Sequence, residues 1–362
     1  MKTAPAHADP SLRPILILGP TAGGKTDLSI GLAEQLEGEV VGADSMQVYK
    51  QMDAGTAKPS RALRKRVPHH LFDIVEPTER FTVHDWLDRA HTASADIQSR
   101  GKRPILVGGT NLYIKAFIDG LMNGPAQDPA YRQTLEKLPE SELHAMLQRV
   151  DPSSAERIHI NDRKRLTRAL EVFHVSGKPI SDWQTQWAPR RILGAESGND
   201  EVGTIPKPQP LKPILLGLRW PVELINPRIN LRVKAMFYPH KVAPELAADV
   251  CINGEDLITE TQRLEEAGLL GEQAREALGY KQVLKHLHDI KSPLPGAETG
   301  AGAGGWDEDT AFEKTKTLTR RFAKQQRTWL KRFEDVHWID MPTEDPTQAA
   351  ITAMRETLNR QV

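Results

Sequence analysis

Short apolar runs punctuate an otherwise polar chain. Ile15 to Leu18, Val40-Val41 after Glu39, Ile105 to Val107 after Pro104, and Leu215 to Leu218 each read as a buried strand. Helical periods fall between them. Leu28, Leu32 and Leu36 recur every four residues and predict a helix from about Thr26. A second helix, Trp86 to Ile97, is entered through Thr82-x-x-Asp85, a spacing that lets hydroxyl and carboxylate cap each other's backbone amides. A third starts at Asn111 and is stopped by Gly120. This alternation predicts an α/β fold with a parallel sheet flanked by helices and ligands at the carboxyl ends of its strands.

Near Leu121 the pattern changes. Helical periods continue to about Trp187 with almost no strand signal, which predicts a mostly helical insertion domain over 121–190. The stretch 188–213 is rich in Pro and Gly and contains a linker loop, 191–211. The core is therefore expected in two pieces, 14–120 and 212–362, the second ending in a long helix from about Asp309 to Phe333 and a strand at Val336–Ile339. Residues 1–13 read as a disordered tail and 292–305 as a low-complexity insert. There is no internal repeat.

Composition narrows the class. A hydrophobic fraction of 39% with 27% charged residues belongs to a globular protein. A single cysteine excludes a disulfide framework and any Cys-rich zinc site. No apolar run approaches the roughly 20 residues of a membrane span, and the first residues lack a signal-peptide core, so a cytoplasmic protein without membrane contact is expected. Lys plus Arg and Asp plus Glu are equal at 48, so positive charge for a nucleic acid must be concentrated locally. The histidines form no H-E-x-x-H or Cys/His constellation and read as packing or hydrogen-bonding residues.

The chemistry begins after the first strand. Gly19, Pro20, Thr21, Ala22, Gly23, Gly24, Lys25 and Thr26 fit G-x-x-x-x-G-K-[ST], the P-loop of NTPase-like proteins, in the required strand–loop–helix setting. Glycines let backbone N–H groups turn inward, and the helix N-terminus adds partial positive charge. Lys25 would neutralise phosphate oxygens, and the Thr26 hydroxyl suits Mg²⁺. Such a cradle announces a polyphosphate, nucleotide or otherwise. An ordinary NTPase places a carboxylate at a later strand end, yet here that end is Gly108-Gly109-Thr110. The acid instead follows the second strand, as Asp44-Ser45.

Several long motifs carry a resemblance. Ala43-Asp44-Ser45-Met46-Gln47-Val48-Tyr49, Met52-Asp53-x-Gly55-Thr56-Ala57-Lys58-Pro59 and Val107-Gly-Gly-Thr-Asn-Leu-Tyr113 follow the P-loop. Further on stand Arg157-Ile-His159, Asn161-Asp162, Arg168-Ala-Leu-Glu171-Val, Leu278-Gly-Tyr280-Lys-Gln282 and Lys324-Gln-Gln-Arg327-Thr-Trp329-Leu. From Ile15 to about Asp340 the chain resembles the tRNA dimethylallyltransferases. The resemblance implies that the cradle holds dimethylallyl diphosphate with Mg²⁺ and that the flipped adenosine at tRNA position 37, beside the anticodon, attacks the allyl carbon through N6. Asp44 matches the family's general base. Arg232, with Arg228 one helical turn earlier, matches the arginine meeting the leaving diphosphate, and Thr110 matches a residue of the channel.

The resemblance also implies contacts with the tRNA anticodon stem-loop. It assigns them to Asp44, Ser45, Met46, Gln47 and Thr110, to Arg132, and to Lys164, Arg165, Leu166, Thr167 and Arg168. It assigns others to Glu276, Ala277, Leu278, Gly279, Tyr280 and Lys281, and to Lys324, Gln325, Gln326, Arg327, Thr328, Trp329, Leu330 and Lys331. Independently, Arg320, Lys324, Arg327 and Lys331 form one basic stripe by helical spacing, with Leu318, Phe322, Trp329 and Phe333 expected to pack the helix from another face. The chain departs from the family after Phe237, where two prolines in 238–253 are expected to break any helix. A monomer is expected. Two rival readings use the same residues: an ATP-binding P-loop kinase with Asp44 as base toward a hydroxyl, and a non-catalytic RNA-binding protein, against which intact Lys25, Thr26 and Asp44 argue.

Overall fold

A computed structural model describes residues 12–121, 124–183, 212–291 and 306–359. The expected tail up to residue 11, the linker 191–211 and the insert 292–305 lie outside the described residues. In chain order the first elements are β1 (Ile15–Leu18), α1 (Lys25–Gln35), β2 (Gly38–Gly42), α2 (Arg61–Arg66), β3 (His69–His70), α3 (Val83–Ser99), β4 (Arg103–Val107) and α4 (Asn111–Asp119). Five helices follow: α5 (Pro129–Glu136), α6 (Glu140–Val150), α7 (Pro152–Arg157), α8 (Arg163–Ser176) and α9 (Ile180–Trp183). The chain then forms β5 (Ile214–Arg219), α10 (Val222–Phe237), α11 (Pro244–Val250), α12 (Leu257–Glu266), α13 (Glu272–Arg275) and α14 (Tyr280–Lys291). It ends with α15 (Glu308–Leu330), β6 (Val336–Asp340) and α16 (Pro346–Asn359). Two compact units result, one formed by 1–118 with 208–362 and the other by 119–207.

In the larger unit the six strands form one parallel sheet in the order β3-β2-β4-β1-β5-β6. Consecutive apolar residues suit strands buried on both faces. On β1, Leu16 and Leu18 join a core with Trp86 and Tyr113, while Ile15 and Ile17 join one with Leu28, Leu32 and Ile351. Trp86 stacks on Tyr113 at 4.6 Å and donates its indole N–H to Gly42 O at 2.7 Å, which fixes α3 and α4 against the end of β2. The capping box at Thr82 and Asp85 is formed.

Two sequence expectations are corrected here, and one strand is added to those the sequence announced. The segment after Phe237 is not helix-free: a 3₁₀ turn at Pro239–Lys241 precedes α11, which starts on Pro244, a first-turn position where no amide is needed. The packing face of α15 is not Leu318, Phe322 and Trp329. Ala311, Thr315, Thr319, Ala323, Gln326 and Leu330 are buried, and Phe322 is 40% exposed. Finally, His69 and His70 form β3, in register with Val40 and Val41.

The smaller unit has its own core, with Leu135, Leu143, Leu147, Leu166 and Leu170 gathered from α5, α6 and α8. Its buried charge is compensated. Glu171 is 0% exposed and receives two hydrogen bonds from Arg132, at 2.7 and 2.8 Å, and one from Arg168 at 2.6 Å. Those cations hold its carboxyl down at about 2 against the opposing effect of burial.

Candidate active site

Three loops meet at the carboxyl edge of the sheet in the larger unit. After β1, the P-loop is shaped by side-chain donors to its carbonyls. Lys25 Nζ donates to Gly19 O and Pro20 O at 3.0 and 2.8 Å, Arg228 Nε to Ala22 O at 3.0 Å, and Trp220 Nε1 to Gly23 O at 3.0 Å. Arg228 also lies over the Trp220 ring at 4.9 Å. Gly24 caps α1 at φ 85°, a left-handed conformation that glycine adopts without strain. The first amides of α1 have no partner within the helix, so they remain available to an anion.

After β2 the chain turns at Asp44. Its Oδ1 accepts the backbone N–H groups of Met46 at 2.9 Å and Gln47 at 3.4 Å. The turn is zipped to the end of β4: Ala43 N donates to Val107 O at 2.8 Å, Thr110 N to Ala43 O at 3.2 Å, and Ser45 N to Thr110 Oγ1 at 2.9 Å. Gly108 makes this approach possible, because a Cβ there would fall 2.0 Å from Ala43 O. A Cβ on Gly109 would lie 3.1 Å from Asp44 Oδ2, which places the carboxylate directly over this loop.

Arg232 of α10 completes the group. Its guanidinium donates to Ala57 O at 3.4 Å and lies close enough to Lys25 and Asp44 to perturb their surroundings. Although part of its surface still reaches solvent, the Lys25 ammonium is crowded by protein. That desolvation, reinforced by Arg232 and opposed by Asp44, brings its pKa down to about 7. Arg232 is also lowered by burial, and again the Asp44 charge resists the shift. Two cations and one carboxylate thus share a partly dry site, an arrangement that favours an incoming anion.

Ala57 is held in place from beneath. Lys58, fully buried, donates to Asp53 at 2.9 Å, to Asp73 and to Tyr49 O, while Glu260 accepts the amides of Asp53 and Ala54 and the hydroxyl of Tyr280. Gln47 Nε2 donates to Thr56 O at 3.0 Å and to Ala57 O at 3.3 Å, tying this loop to the Asp44 turn. The Met52-to-Pro59 motif therefore positions the site from behind.

The residues assigned to RNA divide by exposure. Lys164 and Arg165 on α8, Glu276, Lys281, and Lys324, Gln325, Thr328 and Lys331 along or after α15 are exposed, and Thr167, Leu278, Arg327 and Trp329 are half-buried. Leu166, Ala277, Tyr280, Gln326 and Leu330 are buried, and Gly279 is enclosed with them. Their side chains pack or hydrogen-bond inside the protein and offer no contact surface. Arg132 and Arg168 spend their guanidinium groups on Glu171. Arg320 donates to Asn230 on α10 at 2.7 Å and is half-buried, which leaves Lys324 and Lys331 as the exposed members of the stripe. Sequence reasoning passed over Trp220, although its place just after a strand of the parallel sheet was a usable signal.

A parallel sheet with a P-loop after β1, and its acid after β2 rather than β4, defines a phosphate-binding α/β protein outside the ordinary NTPase pattern. A family model described as IPP transferase matches residues 47–333, and one described as Isopentenyl transferase matches 13–67. The tRNA dimethylallyltransferase of Geobacter sulfurreducens is 40% identical over 333 residues, covering 91% of this chain and 92% of that protein. That of Anoxybacillus flavithermus is 36% identical, covering 90% of each. Among solved structures, the full-length tRNA isopentenylpyrophosphate transferase of Bacillus halodurans superimposes with a TM-score of 0.60 at 31% identity, over 96% of each chain. The chain belongs to the tRNA dimethylallyltransferase (IPP transferase) family.

Proposed function

We infer that this protein transfers a dimethylallyl group from dimethylallyl diphosphate to N6 of the adenosine at position 37 of tRNA, beside the anticodon, and releases diphosphate. The observation that carries this reading is the convergence of Lys25, Arg232 and Asp44 at one sheet edge. The new bond joins N6 to the allyl C1, and the C1–O bond to diphosphate breaks. An exocyclic aromatic amine is a weak nucleophile, so a base that takes its proton helps, and Asp44 fills that role. Oδ1 of Asp44 is occupied by backbone amides, which fix the carboxylate and leave Oδ2 for the substrate. Negative charge growing on the leaving diphosphate is met by Lys25, Arg232 and the N-terminus of α1.

The Thr26 hydroxyl has no hydrogen-bond partner among the described residues and, with diphosphate oxygens, fits a Mg²⁺ site. Bound there, the ion would offset leaving-group charge. No cluster of three or more His, Cys, Asp or Glu side chains able to hold a metal exists among the described residues, so the ligand must supply much of the coordination. Exposed Lys164 and Arg165 on one unit, and Lys324 and Lys331 on the other, supply phosphate contacts for the anticodon stem-loop. A monomer acting in the cytoplasm is part of this reading.

The test is transfer of allyl label to an anticodon stem-loop in nucleotide-free buffer with Mg²⁺, followed by addition of ATP. Labelled adenosine without nucleotide, and inhibition by ATP as a competitor for the cradle, are expected. A strict ATP requirement, or hydrolysis stoichiometric with product, would return the cradle to a kinase role.

A further inference from the structure

Within the basic segment of α15 one polar side chain is buried. Gln326 is 2% exposed, its Oε1 accepts the Thr21 N–H at 2.8 Å, and its Nε2 donates to Gly109 O at 2.9 Å. One carboxamide therefore spans the P-loop and the loop that closes β4. Its main-chain carbonyl also accepts from Asn111 Nδ2 at 3.4 Å, at the start of α4. The amide sits beside the proposed base as well: a Cβ on Gly109 would stand 3.0 Å from Gln326 Nε2 and 3.1 Å from Asp44 Oδ2.

We propose that Gln326 is a positioning residue, clamping the diphosphate cradle to the Asp44 turn so that the leaving group and the base keep one fixed separation. The inference rests on the transferase reading above. A carboxamide suits the task because it presents an acceptor and a donor at once, whereas a carboxylate, a hydrophobe or an ammonium presents at most one of the two. Without it, the Thr21 amide and the Gly109 carbonyl lose their partners, and the two loops are free to move relative to each other. Transfer depends steeply on the placement of reacting groups, and a misplacement of about 1 Å can cost about 10²-fold. The exposed face of the same helix carries Lys324, Gln325 and Thr328, so RNA docked there would press on the element that sets the geometry of the reacting groups.

The experiment compares the unaltered protein with Gln326→Leu and Gln326→Glu, measuring tRNA affinity, dimethylallyl diphosphate affinity and the single-turnover transfer rate against pH. For Gln326→Leu, transfer at saturating substrates should fall about 10- to 100-fold while tRNA affinity stays within about two-fold. Gln326→Glu keeps the acceptor for Thr21 and places a second carboxyl beside Asp44. Like charges favour proton retention, so the acid limb of its pH profile should move to higher pH. Weakened tRNA binding with an unchanged saturated rate would make Gln326 an RNA contact and overturn the proposal. So would an unshifted pH profile for Gln326→Glu, which also decides the matter if Gln326→Leu fails to fold. No transfer by the unaltered protein would overturn the functional reading itself, and this inference with it.

Discussion

At the scale of single residues the site depends on how a few charges are paired. Asp44 is the one carboxylate over the Gly109 loop for which the site offers a role, and Asp44→Asn keeps its shape and an oxygen for the Met46 and Gln47 amides. That variant is expected to fold and bind tRNA while losing about 10²–10⁴-fold in transfer, the usual cost of a lost general base. Single-turnover rates within a few-fold of the unaltered protein would refute the assignment. Lys25 gives a second prediction. Its pKa of about 7 reflects desolvation and the charge of Arg232, which Asp44 offsets only in part. A bound diphosphate favours the charged form and raises that pKa, so binding above pH 7 takes up a proton. Affinity should therefore weaken as pH rises beyond 7, by up to about one log unit per pH unit. At pH 8 the ligand's own titration near about pH 6 is complete, and calorimetry in buffers of different ionisation enthalpy should report uptake approaching one proton. Zero uptake would mean Lys25 is already fully charged in the free protein. The P-loop and Asp44 were legible in the sequence because their chemistry is local to a short motif. Their clamp through Gln326 was not, because both partners of that side chain lie far away in the chain and the segment around it reads as a basic stripe.

At the scale of elements, legibility follows how each segment buries its polar groups. The four main strands announce themselves because parallel strands covered on both faces need unbroken apolar residues. The buried face of α15 was misread because it contains Thr315 and Thr319, whose hydroxyls bond the carbonyls of Ala311 and Thr315 at 2.8 and 2.7 Å. A polar residue satisfied by its own helix costs little to bury and leaves no apolar stripe to detect. Strand β3 is two residues long, too short to show any period in the sequence. The loop beneath the site yields a prediction of its own. Glu260, on α12, is 1% exposed, and burial raises its pKa to about 7 despite the hydrogen bonds from Tyr280, Ala54 and Asp53. Because this folded value lies above the unfolded one, its contribution to stability is fully present below about pH 4.5 and is lost as pH rises through 7. Glu260→Gln removes the titration and keeps an acceptor for the amides. The stability of the variant relative to the unaltered protein should therefore rise between pH 4.5 and 7, at up to about 1.4 kcal/mol per pH unit. Parallel stability curves from urea melts across that range would show that Glu260 is already ionised and well solvated.

At the scale of the whole molecule, charge is balanced to zero but not evenly spread. Arg132 and Arg168 are consumed by the buried Glu171, and Arg320 is drawn to Asn230, so many cations serve the fold and not a ligand. Exposed basic side chains stand on both units, Lys164 and Arg165 (which pairs with Asp162 at 2.9 Å) on the smaller and Lys324 and Lys331 on the larger. Each unit has its own hydrophobic core, so neutralising one face should leave the other unit's structure unaltered. If one tRNA engages both units at once, each lost phosphate contact lowers the slope of log K against log salt by about 0.9 on duplex and about 0.7 on single strands. Lys164→Ala with Arg165→Ala, and Lys324→Ala with Lys331→Ala, should each flatten the slope by roughly 1.4–1.8. The four-fold variant should lose the sum of the two, because the sites are independent. Affinity for dimethylallyl diphosphate, held by the P-loop, should stay unchanged in all three. A pair whose removal leaves the slope intact belongs to a solvated face, and RNA recognition then rests on the other unit. A four-fold variant no flatter than either pair would mean that tRNA occupies one face at a time.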